Sequence, residues 1–206
     1  MVAISSGAAV DDLDGQVPLR LLVLGPVSLL DAQGKQIALP AQRRTIIGAL
    51  AANSGRSLHR DELCFGLWND YSPTHRNRLK SQVAQLRAVL PSELSIEFVD
   101  DGYRLSWSAE VIDSIRFRRH LSTPAAADAE QHALLANALR LWQGAPFQGV
   151  ELTLVDEAMH TLTRLREQAV LDVADVEWRL GMSVHSIPAL QQLHDHDHSR
   201  GDVAGH

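Results

Sequence analysis

Four apolar residues, Leu79, Val83, Leu86 and Leu90, recur at i, i+4, i+7 and i+11 within PTHRNRLKSQVAQLRAVL, residues 73–90. That spacing stacks them on one side of an α-helix and would scatter them across a strand. The seam is narrow, so such a helix presses one edge into a core and leaves the rest of its circumference outside. The outward side carries Thr74, Asn77, Arg78, Ser81 and Gln85, with Arg76, Lys80 and Arg87 on the flanks and no acidic residue in the segment. Hydroxyl, amide and guanidinium groups are the partners that phosphate oxygens and base edges require. A charged helix face taken alone is commonly just solvated, so the neighbouring elements decide its meaning.

Those neighbours come in a definite order. LRLLVLGPVSLL is strand-like and broken at Gly25-Pro26, and DAQGK supplies a turn before QIAL, so a short antiparallel sheet of two or three strands is expected. Residues 42–53 place Ile46, Ile47, Leu50 and Ala51 at helical spacing, with Gly55 as a stop. In LHRDELCFGLWND, His59 stands as N-cap with Glu62 at the capping-box position, and Leu58 and Leu63 can staple the helix start. Leu63, Leu67 and Trp68 form the expected buried stripe of that helix. After the basic helix, FVDDGYRLSW reads as a hairpin of strands 96–99 and 103–107 turning at Asp101-Gly102. Sheet, three helices and hairpin is the order of a winged-helix DNA reader.

From residue 111 the pattern is helical throughout. Ile115, Phe117 and Leu121 mark a short helix; residues 125–142 form a longer one stopped by Gly144 and Pro146; residues 154–180 form a third, closed by Gly181. The third carries Ala158, Leu162, Leu165, Ala169, Val173, Val176 and Leu180 at alternating steps of four and three, a seam for packing on a neighbouring helix. Trp68, Trp142 and Trp178 read as packing residues. A weaker helical pattern covers residues 187–193. The expected organisation is a flexible leader at 1–17, an α/β unit at 18–108, a helical unit at 109–193 and a disordered His/Asp tail at 194–206.

The net charge of −6 conceals an asymmetry: residues 18–107 hold 11 Lys/Arg against 8 Asp/Glu, and residues 108–206 hold 8 against 14. DNA affinity depends on the contact face, so an acidic second half is compatible with it. No apolar run approaches the length of about 18 residues needed to span a membrane, and the N-terminus lacks a signal-peptide pattern, so a cytoplasmic, nucleoid-associated protein with no membrane partner is expected. The single cysteine, Cys64, sits in an apolar helical pattern and reads as core. Nucleophile elbow, phosphate loop, zinc-ligand pair and paired carboxylates are all lacking, so neither an enzyme nor a cofactor or metal site is indicated.

The run LLVLGPVSLLD, LHRDELCFGLW, the V-x-x-L-R of Val83 to Arg87 and Gly102-Tyr103-Arg104-Leu105 together resemble the antibiotic regulatory protein family of actinobacterial activators. VIDSIRF, ALRLWQGAPFQGV and the long helix ending in WRLG resemble that family's bacterial transcriptional activation domain, related to tetratricopeptide repeats. The resemblance implies an α+β chain: an N-terminal OmpR/PhoB-type winged helix followed by an all-α, tetratricopeptide-like domain. Family members usually continue through further helices, so the second domain is expected to be a shortened one.

The implied function is sequence-specific binding of double-stranded promoter DNA by an activator, with RNA polymerase and a second protomer as protein partners. Helix 73–90 becomes the recognition helix. Thr74, Asn77, Arg78, Ser81 and Gln85 become candidates for base-edge or nearby phosphate contacts, with Arg76, Lys80 and Arg87 beside them for phosphates. Arg43 and Arg44 stand where a first-helix N-terminus could hold a phosphate, and Tyr103 and Arg104 lie in the wing. The alternatives are a helical protein-interaction or dimerisation module, and a DNA binder without activation function.

Overall fold

Gly25-Pro26 and the Asp31 turn fold the start of the chain back on itself twice. The computed structural model describes residues 18–108 and 110–182; the leader, the helical pattern at 187–193 and the His/Asp tail lie outside the described residues. Strands β1 (Leu21–Leu22), β2 (Ser28–Leu30) and β3 (Gln36–Ile37) pair antiparallel in that order, Leu21 opposite Leu29 and Leu29 opposite Ile37. The Asp31 carboxylate accepts from the N–H groups of Gln33 and Lys35, both at 2.9 Å, which closes the second turn.

Three helices follow: α1 (Ala41–Ala52), α2 (Arg60–Trp68) and α3 (Pro73–Arg87). The expected cap of α2 forms, with His59 Nδ1 accepting from Asp61 N–H at 3.2 Å and Glu62 Oε2 accepting from His59 N–H at 3.3 Å. Leu58 and Leu63 are both buried there. The inner side of α2 is nevertheless Leu63 and Cys64, while Leu67 and Trp68 are half-buried at its edge. Pro73 opens α3, where a missing N–H costs nothing. The helix ends at Arg87, one turn short of Leu90, which still packs half-buried against the core.

The hairpin differs from its expected register. Strands β5 (Leu94–Val99) and β6 (Gly102–Trp107) pair Val99 with Gly102, so Asp100 and Asp101 form the turn, with φ of 51° and 56°. Aspartate tolerates this left-handed region because its short side chain bonds locally. Gly102 is needed for another reason: strand β4 (Leu58–His59) lies against it, and a Cβ at Gly102 would collide with the Leu58 carbonyl oxygen. The wing is thus a three-stranded sheet in the order β4-β6-β5.

The second half contains α4 (Asp113–Ser122), α5 (Asp128–Arg140) and α6 (Asp156–Arg179), the last preceded by a single 3₁₀ turn at Thr153–Val155. Within the α6 seam, Leu162, Ala169, Val173 and Val176 are buried and Ala158 and Leu165 half-buried. Leu180 is exposed, and so is Trp178 at 74 %, contrary to the packing role expected of both. Trp178 stands two residues past Val176, on the opposite side of the helix from the seam. Trp142 is half-buried and meets Phe117 edge-on, with the Arg166 guanidinium over its face at 5.0 Å.

The two halves share one continuous apolar core, running from Leu21 and Ile47 through Leu86 and Leu105 to Phe117, Val150 and Leu162. The junction is stitched by main-chain bonds: Leu21 N–H to Val111 O at 3.0 Å, Gln143 N–H to Leu24 O at 2.8 Å and Phe147 N–H to Val23 O at 2.8 Å. Asp113, in the first turn of α4, is buried. Its carboxylate accepts from the N–H groups of Val23 and Leu24 at 2.9 Å and of Ser114 at 2.7 Å. Burial pushes its pKa up to about 7, against the lowering effect of those N–H donors. Gly48 of α1 makes room for the junction, since a Cβ there would lie 2.7 Å from Val150 Cγ2.

Candidate nucleic-acid interface

Leu79, Val83 and Leu86 are buried and anchor α3 against α1 and α2. Their burial turns Thr74, Asn77, Arg78, Lys80, Ser81, Gln85 and Arg87 outward, and all seven are exposed. Thr74, Asn77, Lys80, Ser81 and Gln85 make no side-chain hydrogen bond among the described residues. They present unengaged donors and acceptors, four of them along one helical face and Lys80 on its flank.

The arginines of α3 differ from these residues and from one another. Arg76 precedes Leu79 by three positions and Val83 by seven, so it lies beside the buried seam. It turns toward α2 and grips Asp61 bidentately, Nε to Oδ1 at 2.7 Å and Nη2 to Oδ2 at 2.6 Å. This contact holds the Asp61 carboxyl below its ordinary range. Arg87, four positions after Val83, reaches the wing and donates from Nε to Ile96 O at 2.8 Å. Arg78 points outward but is supported: its guanidinium sits 5.0 Å over the Trp68 ring and its Nη2 donates to Gln42 Oε1 at 3.2 Å.

Trp68 is a structural platform that sequence reasoning assigned to the core. It closes α2, and on its ring stack both Arg78 and His75, the latter at 5.2 Å between centroids. His75 Nδ1 lies 2.8 Å from Asp70 Oδ2 and 3.1 Å from Ser72 Oγ, tying the short link between α2 and α3 to the start of α3. Ser72 and His75 together lower the Asp70 pKa. Asp61 and Trp68 lie within LHRDELCFGLW, but nothing in that run names their partners. Arg76 and Asp61 are 15 positions apart and Arg78 and Gln42 are 36 apart, and only the packing of three helices brings them together.

The remaining candidates divide. Gln42 meets Arg78, which places the first turn of α1 beside the exposed face of α3. Arg43 and Arg44 are half-buried, each with a buried Nε that has no hydrogen-bond partner among the described residues. Arg44 follows Gln42 by two positions and so points about 200° away from it around the helix. Its guanidinium lies against Gly149 of the second half, away from α3. In the wing, Tyr103 is 6 % exposed, packs edge-on against Phe98, and has its phenol pKa raised by burial. Arg104 donates from Nη2 to Glu97 Oε2 of the facing strand at 2.6 Å. The structure therefore gathers Thr74, Asn77, Arg78, Ser81 and Gln85 onto one open face, leaves Lys80 exposed on its flank, and places Arg44 and Tyr103 elsewhere.

Among the described residues no cluster of His, Cys, Asp and Glu has metal-binding geometry, and no helix is long and apolar enough to cross a membrane.

Two family descriptions match the chain: "Transcriptional regulatory protein, C terminal" over residues 34–105, and "Bacterial transcriptional activator domain" over residues 112–205. The chain is 29 % identical over 188 residues to the transcriptional regulator RedD of Streptomyces coelicolor, covering 85 % of this chain and 54 % of RedD. Its fold is that of Mycobacterium tuberculosis EmbR, solved in complex with a low affinity phosphopeptide, with a TM-score of 0.72 at 23 % identity, over 85 % of this chain and 49 % of that one. The chain thus spans about half the length of these relatives. The winged helix built from α1, α2, α3 and the β5-β6 wing matches the first description and the helical half the second, so the chain has the domain order of a transcriptional regulator in which an OmpR-type winged helix precedes a bacterial transcriptional activator domain, and it is similar to the antibiotic regulatory protein family.

Proposed function

We propose that residues 18–108 bind double-stranded promoter DNA, with α3 in the major groove, and that the helical unit beginning at 109 contacts RNA polymerase or a second protomer to activate transcription. The open polar face of α3 carries this reading. Thr74, Asn77, Arg78, Ser81 and Gln85 are exposed and share a face that an apolar seam holds in place, with Lys80 exposed on its flank. On this reading Arg78 reads a base edge, because Trp68 and Gln42 hold the guanidinium fork in a fixed direction. Lys80 supplies a phosphate contact, and Arg43 adds another from the start of α1. Arg76, Arg87 and Arg104 act indirectly, holding α2, α3 and the wing in register through Asp61, Ile96 O and Glu97.

A footprint of the chain on the promoter of a gene it controls, repeated across salt concentrations, tests the reading. The expected result is protection of repeated half-sites, with affinity falling as salt rises. Binding that a competitor DNA removes entirely would overturn sequence specificity. In-vitro transcription on the same promoter with purified bacterial RNA polymerase tests activation separately: protection without added transcript identifies a DNA binder that does not activate. The exposed Leu171 and Trp178 of α6 favour a protein-contact role for the helical unit. If that role stood alone, partner binding would survive replacement of Asn77, Arg78 and Lys80 by Ala in a chain whose parent lacks DNA affinity.

A further inference from the structure

The apolar interior of the helical half is not continuous. The main core reaches Leu165 and Leu121, while Leu135, Ala169, Val173 and Val176 form a separate cluster. Where the two approach, a cleft of about 500 Å³ opens between the end of α4, the loop after it, α5 and α6. That volume lies in the range of roughly 300–1,000 Å³ typical of small-molecule sites. Leu121, Leu134, Leu135, Leu165 and Ala169 line its walls, and Gln131, Gln168 and Asp172 its rim.

One lining residue is out of keeping with an inert crevice. His120 is 8 % exposed, and its imidazole makes no hydrogen bond among the described residues. Its ring nitrogens are left to water, in a space that protein does not fill and that a ligand could enter. The rim is already organised: Gln168 Nε2 donates to Asp172 Oδ1 at 2.8 Å.

We propose that this cleft is a binding site for a small, predominantly apolar, uncharged molecule bearing a hydroxyl group, which bonds to His120 while its apolar body lies between Leu121, Leu135 and Leu165. A hydroxyl both donates and accepts, so it satisfies either tautomer of a neutral imidazole. The ring is held neutral by burial and by the nearby Arg116 and Arg119, which lower its pKa. Asp172 at the rim disfavours an anionic ligand. The site is independent of the DNA face, being built wholly from α4, α5, α6 and the loop between α4 and α5.

The test uses the full chain, imidazole-labelled at histidine, titrated by NMR with 1-naphthol and, as a control lacking the hydroxyl, naphthalene. The expected result is a saturable shift of the His120 ring signal and binding of 1-naphthol at least tenfold tighter than naphthalene. His120→Phe keeps a ring of similar size without its nitrogens and should bind the two probes alike. Gln168→Trp, at an exposed position on α6, should keep the backbone spectrum of the parent and weaken 1-naphthol at least tenfold by obstructing the cleft. The proposal is overturned if 1-naphthol does not saturate, if the His120 signal is unmoved at saturation, if naphthalene binds equally well, or if Gln168→Trp binds like the parent.

Discussion

The outer face of α3 and the junction around Asp113 are both polar, yet they use polarity in opposite ways. At the junction a single buried carboxylate accepts three backbone N–H bonds and lies among main-chain bonds that sew residues 21–25 to residues 111–148. On α3, Thr74, Asn77, Lys80, Ser81 and Gln85 keep their hydrogen-bonding groups open to solvent. Buried polar groups must be matched inside the chain, because water cannot reach them, whereas exposed ones are satisfied by water until a partner displaces it. Stability should therefore be sensitive to changes at the junction and binding to changes on α3, with little crossover between the two.

The largest break in that contrast is Asp113→Ala. It leaves the Val23 and Leu24 N–H groups buried without acceptors, and thermal or urea unfolding should show a loss of about 2–6 kcal/mol, from roughly 1–3 kcal/mol for each of the two unsatisfied groups. A loss below about 1 kcal/mol would mean that water or a shifted backbone replaces the carboxylate.

The next effect is pH dependence. The folded Asp113 pKa of about 7 exceeds its ordinary 3.8, so the folded state holds the proton more tightly. The stability contributed by that proton is complete below the ordinary value and is lost as pH rises through about 7. The parent's melting temperature should fall across this window by more than that of Asp113→Asn, which cannot titrate. Equal slopes would show that the N–H donors outweigh burial in setting this pKa.

On the open face, Arg78→Ala should weaken specific DNA binding by about 1–3 kcal/mol and relax preference at one base position, while leaving the unfolding midpoint near that of the parent. Trp68→Leu removes the platform under Arg78 and should reproduce part of that loss of selectivity. Smallest and least selective is Lys80→Ala. Removing a phosphate-binding ammonium there should weaken all sequences alike and reduce the log–log salt slope by roughly 0.9. Base-specific loss from Lys80→Ala, or uniform loss from Arg78→Ala, would exchange the roles assigned to the two residues.

Arg76 shows why a helix read from sequence can mislead about its own side chains. It is as basic as Arg78 and only two positions away, but its place beside the seam commits it to Asp61. The spacing that identified the seam also contained this consequence, since Arg76 stands at i−3 from Leu79. The existence of an acidic partner at that point was not legible. The hairpin is a similar case: Asp-Gly signals a turn by local propensity, yet the close approach of β4 requires the glycine inside β6 and moves the turn one residue earlier. Strand β4, two residues long, is too short to show any alternation.

What the amino-acid sequence determined by itself was whatever depends on neighbours within a turn or two: the three helices of the first half, the His59–Glu62 cap, the seam under α3 and the periodicity of α6. Hydrophobic spacing and capping act over a few residues, so they can be read without knowing where the chain returns. The tertiary structure decided the rest. It set Trp68 beneath Arg78, turned Arg44 toward Gly149, exposed Trp178, left His120 facing a cleft and brought Asp113 onto the backbone of residues 23 and 24. The pairings among these join groups from 10 to 105 positions apart, and at such distances they are specified by the packing of whole elements, not by the residues on either side.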